Sequence, residues 1–257
     1  MIPCSSIDLK GLPVLTPHNV STFKELFKRP CSSEAKSRPA QAHLQGKSLR
    51  GHYISNTDRN KGHVAEEAFA TAMESIGLSV NVLPHFSHNY IKHIDFEISD
   101  GHTCFWIDVK SPKSLRKTMN PSDPFNKPQD KYICFELNSS GSLYGSHSDY
   151  VAFGLTDGSF IVTDRLKLID IVNSKMDFNT RPKERSAWPE TSLWQPYVRS
   201  YNNNHLVMAY MDLDDLRPAF LFIVPSATSA TLGATSDTSS TLAGTASDAA
   251  SNAATAT

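Results

Sequence analysis

Ile94-Asp95-Phe96-Glu97-Ile98-Ser99-Asp100-Gly101-His102-Thr103-Cys104-Phe105-Trp106-Ile107-Asp108-Val109-Lys110 reads as two strands joined by a tight turn. Apolar and polar residues alternate on both sides of Ser99-Asp100-Gly101, and Asp-Gly favours a turn whose twist suits the strands it joins. Successive strand side chains point to opposite faces. Phe105, Ile107 and Val109 are therefore expected to face a core, together with Ile94, Phe96 and Ile98. Asp95 and Glu97 share the other face with Trp106, Asp108 and Lys110. Two carboxylates and an ammonium on one face make a candidate metal site.

An Asp/Glu-x-Lys triplet alone carries little information. The chain has three, at Asp8-Leu9-Lys10, Glu34-Ala35-Lys36 and Asp108-Val109-Lys110. Only the third closes a β-patterned run with a second acid on the paired strand. It also follows a helical segment, Lys61 to Ile76, in which Val64, Ala65, Ala68, Phe69, Ala72, Met73 and Ile76 recur at three- and four-residue steps. Gly77 marks the expected helix end. Glu66 and Glu67 lie on its first turns, and either can lean toward the sheet edge as a third ligand. Glu66 is preferred.

The order of helix Glu, strand Asp and Asp-x-Lys resembles the PD-(D/E)XK nuclease superfamily, and Lys61-Gly62-x-x-x-Glu66 with the later Gly77 resembles the first helix of archaeal-type Holliday junction resolvases. The resemblance covers about residues 51–175. One departure is visible: Ile94, preceded by His93, stands where the superfamily often has Pro. The resemblance implies an α/β, restriction-endonuclease-like core with a mixed central sheet flanked by helices. It also implies that Glu66, Asp95, Asp108 and Lys110 occupy the superfamily's catalytic positions.

Phosphodiester hydrolysis puts negative charge on phosphoryl oxygens in the transition state. A hard cation held by carboxylates stabilises that charge and acidifies an attacking water. Asp95 and Asp108 would hold the ion, Glu66 would complete or water-bridge the coordination, and the Val109 carbonyl could add a ligand. Lys110 would orient the hydroxide or neutralise the phosphate. Oxygen ligation favours Mg2+, with Mn2+ substituting. The competing reading is an ordinary cross-strand charge pair on a hairpin.

A chain of 257 residues fits one catalytic domain with appendages. Its net charge of −1 gives no global nucleic-acid signature, but the charge is uneven. Residues 1–63 carry ten Lys/Arg against four acids. After the triplet, Lys113, Arg116, Lys117, Lys127 and Lys131 continue a basic stretch suited, with Lys61, to phosphate contacts on DNA, contacts that weaken as salt rises. A solvated charged loop is the alternative.

The organisation expected is a basic arm over residues 1–50, the nuclease-like core over 51–175, a strand-and-loop extension over 176–225 packed on the core, and a Ser/Thr/Ala-rich tail over 226–257 too polar to order itself. A short helix is expected over Val20 to Phe27, capped by Asn19. Strands are expected at Lys131 to Leu137, Tyr150 to Leu155, Ser159 to Thr163 and His205 to Leu213. A closing helix should run from Arg165 to Ser174, and a helical turn from Asp214 to Arg217. Pro112, Pro121, Pro124 and Pro128 point to a loop over the site. Residues 179–204 read as a loop whose Arg181, Arg185, Trp188, Trp194, Tyr197, Arg199 and Tyr201 suit either base stacking or coverage of a core edge.

Cys4, Cys31, Cys104 and Cys134 show no Cys-x-x-Cys spacing, so neither a zinc ribbon nor a disulfide framework is implied. Cys104 and Cys134 read as buried thiols in a reducing compartment. His85, His88 and His93 are read as loop histidines, with zinc ligation or a phosphate contact the alternatives. No leader-like apolar start and no run long enough for a membrane is present, so a soluble cytoplasmic protein is expected. The sequence reading is a Mg2+-dependent endonuclease acting on DNA, with double-strand scission implying a homodimer. A binding module that keeps the nuclease architecture, or an RNA nuclease, is the alternative.

Overall fold

A computed structural model describes residues 7, 9–33, 36–37, 56–83, 92–114, 128–139, 141–179, 183–184, 193–201 and 204–227. It is mixed α/β with a mixed central sheet and few helices. The strands are β1 (Arg29–Pro30), β2 (Lys36–Ser37), β3 (Ser79–Val82), β4 (Phe96–Ser99), β5 (Thr103–Lys110), β6 (Lys113–Ser114), β7 (Pro128–Gln129), β8 (Tyr132–Glu136), β9 (Tyr150–Gly154), β10 (Phe160–Asp164), β11 (Lys183–Glu184), β12 (Tyr197–Tyr201), β13 (Asn204–Asp212) and β14 (Phe220–Val224). The helices are α1 (Asn56–Ser75) and α2 (Arg165–Lys175).

The central sheet runs β14-β10-β9-β5-β4-β3-β2, and β1 joins the β5 edge. Among the described residues only β5 and β9 pair in parallel within it, placing Asp108 against Val151 and Lys110 against Phe153. The hairpin forms as the alternation implies, with Phe96 opposite Ile107 and Ile98 opposite Phe105. At its turn Gly101 adopts φ 100°, and Asp100 Oδ1 accepts the N–H groups of His102 and Thr103. Only glycine enters that region without steric cost.

One face of the sheet packs against α1. Phe69, Met73 and Ile76 join Phe96, Ile98, Phe105, Ile107, Val109 and Phe160 in one core, with Phe69 edge-on to Phe160 at 5.1 Å. Such a ring pair adds about 0.5–1.5 kcal/mol beyond area burial. The opposite face meets α2 and a second sheet, β11-β12-β13-β8, through Val151, Phe153, Ile161, Phe135, Ala209, Leu168 and Val172. Asp164 caps α2 by accepting the N–H groups of Leu166 and Lys167. No helix among the described residues is long and apolar enough to cross a membrane.

Four local expectations change. Helix α1 begins at Asn56, not near Lys61, so Glu66 lies mid-helix; residues 56–60 are polar and give no apolar period to read. Val20 to Phe27 forms two 3-10 turns, and Asn19 turns its side chain back to Thr16 and Val14 instead of capping. The β-branched Val20 and Thr22 disfavour a longer helix. The stretch read as a loop contains β12, aligned antiparallel on β13. Finally, residues within 1–50 do more than trail from the core: Leu15 and Leu26 are buried, Leu15 N–H donates to Ile223 O at 2.8 Å, and β1 pairs with β5. The tail from residue 228, and His85 and His88, lie outside the described residues.

Candidate metal centre

The hairpin sets the geometry. Asp95, one residue before β4, donates its N–H to Ile107 O at 2.9 Å, and its Oδ2 accepts the Val109 N–H at 2.7 Å. The carboxylate thus lies over the end of β5, where Asp108 and Lys110 point. Lys110 Nζ donates to Asp108 Oδ1 at 2.6 Å, while Asp108 Oδ2 is buried with no hydrogen-bond partner among the described residues. The face expected to turn outward is covered: Asp95 is 7% exposed and Asp108 2%.

Helix α1 supplies the third acid. Glu67 faces solvent, whereas Glu66 is half-buried and accepts from His63, one turn earlier, over a 3.3 Å Nδ1···Oε2 contact. Burial raises the Glu66 pKa first, and the nearby Asp95 charge raises it further; His63 and Lys110 oppose both. Burial likewise pushes Asp95 up to about 7, with the Asp108 charge next, while Lys110 and the Val109 N–H act against the rise. Glu66 thus feels the charges of Asp95 and Lys110, and Asp95 those of Asp108 and Lys110, although the carboxylate oxygens of Glu66, Asp95 and Asp108 do not all lie within 4.8 Å of one another. A buried carboxylate pair, Asp95 and Asp108, with only the Lys110 ammonium on it is what a divalent cation would relieve. The orphaned Asp108 oxygen and the all-oxygen donor set fit a hard cation.

The approach to Asp95 is held from behind. His93 adopts φ 48°, its carbonyl accepts from Ser146 Oγ at 3.1 Å, and His147 N–H donates to Lys92 O at 2.8 Å. A left-handed histidine two residues before a buried acid is a backbone conformation that its surroundings must impose. Pattern reading did not single out three further contributors. His63 is visible only as the i, i+3 neighbour of Glu66. Arg165 lies near enough for the Asp108 charge to act on it, and donates to Ser148 O at 2.7 Å. Arg29 stacks over Trp106 at 4.0 Å and pairs with Asp149.

The expected phosphate-contacting residues are only partly placed. Lys61 is exposed on α1, and Lys131 is half-exposed, 5.0 Å from the Tyr132 ring. Lys113 lies in β6, which pairs with β7, whereas Arg116, Lys117 and Lys127 lie outside the described residues. A groove beyond Lys110 is bordered by Pro112, Gln129, Tyr132, Phe153 and Leu155. Of the aromatics read as stacking candidates, Trp194 donates to Asp215 at 2.8 Å, and Tyr197 is buried and stacked on Tyr210. Both cover a core edge; Arg181, Arg185 and Trp188 lie outside the described residues. No protein-family model, curated protein or solved structure matches the chain.

Proposed function

We propose that this chain is a Mg2+-dependent endonuclease of the PD-(D/E)XK type that hydrolyses phosphodiester bonds in DNA, with Mn2+ able to substitute. The observation that carries the reading is the buried, unpartnered Asp108 Oδ2 beside an Asp95 carboxyl pushed up to about 7. Asp95 and Asp108 would hold the cation, Glu66 would reach it through a bridging water or a shift of its side chain, and the Val109 carbonyl could add a ligand. A bound divalent ion supplies charge for the phosphoryl oxygens and lowers the pKa of a coordinated water.

The chain's own groups set the rest. The Val109 N–H fixes one Asp95 oxygen, and the other would face the ion. His63 favours the ionised form of Glu66 against the burial that raises its pKa, which would suit it to act as a ligand or proton acceptor. Lys110, about one-quarter exposed at 23%, stands between Asp108 and solvent, where its ammonium can meet a phosphate or hold the attacking water. In the reaction the water oxygen would form a bond to phosphorus as one of its protons passes to Glu66 or to solvent, the bond to the leaving sugar oxygen would break, and that oxygen would take a proton from solvent.

Supercoiled plasmid incubated with the full chain should be nicked or linearised with Mg2+ and remain intact with chelator. Asp108→Ala and Lys110→Ala should each lower the rate by about a hundredfold or more. An intact plasmid with wild-type protein, on every DNA form and on RNA, would overturn the reading; cleavage of RNA alone would reassign the substrate. A homodimer would bring together the two centres that double-strand scission needs.

One observation favours a second reading. Lys110 and Asp108 already form a 2.6 Å ion pair, which a non-catalytic nucleic-acid- or protein-binding module would keep for structure alone. DNA binding that is unchanged by Asp95→Ala, together with no Mg2+ or Mn2+ affinity, selects this reading.

A further inference from the structure

The hairpin face that carries Asp95 and Asp108 carries a second cluster at its other end. Here β1 lies antiparallel on β5, with Arg29 opposite Cys104 and Pro30 opposite Thr103. The Lys28 N–H donates to Cys104 O at 3.0 Å. This pairing delivers the next residue, Cys31, to the hairpin, where its Sγ lies 3.0 Å from Ser99 Oγ. One atom each of Cys31, Glu97 and Cys104 lies within 4.8 Å of the other two.

Glu97 makes this more than a chance grouping. It has 0% exposure, its Oε2 accepts from the Ser32 N–H at 3.0 Å and the Trp106 Nε1–H at 3.2 Å, and its Oε1 is buried with no hydrogen-bond partner among the described residues. A carboxylate oxygen is seldom taken out of water with nothing to meet it. The Cys31 and Cys104 sulfur atoms lie within 4.8 Å of a Glu97 carboxylate oxygen.

We infer that Cys31, Glu97 and Cys104 form a structural site for a thiophilic divalent cation, Zn2+, that staples β1 to the β4–β5 hairpin. Two thiolates favour zinc over the hard cations suited to the carboxylate centre. Ligand atoms around tetrahedral zinc stand about 3.3–3.8 Å apart, given bonds of about 2.0–2.3 Å. A small inward rotation of the two thiols therefore closes the site. Glu97 Oε1 is the third ligand, and Ser99 Oγ or a water takes the fourth position. Binding releases the two thiol protons to the buffer. Seventy-odd residues separate the two cysteines in sequence, so no spacing motif could announce them. The site is independent of the nuclease reading, although Glu97 lies two residues from Asp95 on the same side of β4 and would brace it.

The test is cobalt(II) titration of the reduced, chelator-stripped full chain. One equivalent of Co2+ should produce thiolate-to-cobalt charge-transfer absorption in the near ultraviolet, and Zn2+ should abolish it. The band should be lost in Cys31→Ser and Cys104→Ser and kept in Cys134→Ser and Asp108→Ala. In parallel, Zn2+ should slow alkylation of the half-exposed Cys31 severalfold in wild type, a readout that needs no variant to fold. Absence of the band, its persistence in the Cys31→Ser/Cys104→Ser double variant, or unchanged Cys31 alkylation would overturn the site.

Discussion

Asp95 is the residue on which charge, burial and chemistry meet. Its carboxyl rises from an ordinary 3.8 to about 7 because burial and the Asp108 charge outweigh Lys110 and the Val109 N–H. The folded state therefore holds a proton that the unfolded chain has already lost between those values. Stability falls as pH rises through that window, and the penalty is complete above about pH 7. A cation that binds the ionised form removes it. The thermal shift produced by Mg2+ or Mn2+ should accordingly be larger at about pH 8 than at about pH 6; an equal shift at both would contradict a site built on this carboxylate. Asp95→Asn keeps an oxygen for the Val109 N–H and removes the charge. In metal-free buffer near neutral pH it should stabilise the protein by on the order of 1–3 kcal/mol in denaturant unfolding while abolishing cleavage. His63→Ala withdraws the group that lowers the Glu66 pKa. The acid limb of the pH–rate profile should move upward, with a loss of up to about tenfold near pH 6 that recovers in alkali. Strand alternation places Asp95 and Asp108 on one side from sequence alone. Their burial, the His63 contact and the Glu97 thiol cluster need the tertiary structure, because each depends on a segment remote from the hairpin.

At the scale of elements, the readable parts are those in which local chemistry agrees with long-range packing. The Asp-Gly turns give the β4–β5 and β9–β10 hairpins, and Gly77 ends α1. There Gly77 takes φ 89°, its N–H donates to Glu74 O at 3.0 Å, and Leu78 N–H donates to Met73 O at 3.2 Å. This is the paired-bond stop that a left-handed residue permits. A methyl group at position 77 would meet nothing within 4 Å, so Gly77→Ala tests backbone strain alone. It should cost about 1–2 kcal/mol in unfolding experiments and leave the cleavage rate at permissive temperature unchanged. The unreadable parts lack such agreement. Strand β12 sits in a polar stretch where pairing with β13 decides the conformation, and the 3-10 turns after Asn19 are fixed by Leu26 entering the core. The start of α1 carries no apolar period.

At the scale of the molecule, the sheet is covered on both faces, and the N-terminal segment belongs to that covering. Leu15 is 1% exposed and bridges to the β14 edge, and Tyr150 Oη donates to Leu26 O at 3.1 Å. Leu15→Ala should therefore cost about 2–5 kcal/mol, a loss visible as a lowered denaturant midpoint, whereas a loosely attached arm would show almost none. The two proposed cation sites would divide by chemistry along one hairpin, with oxygen groups at the end of β5 and sulfur groups near its start. The central claim is that the acids at the β5 end converge on one hard cation, and calorimetric titration of Mn2+ into the chelator-stripped full chain at about pH 8 tests it most directly. One manganese per chain should bind, with binding lost in Asp95→Asn and Asp108→Asn and retained in Cys31→Ser. No binding to wild type, or equal binding to both aspartate variants, would contradict the account.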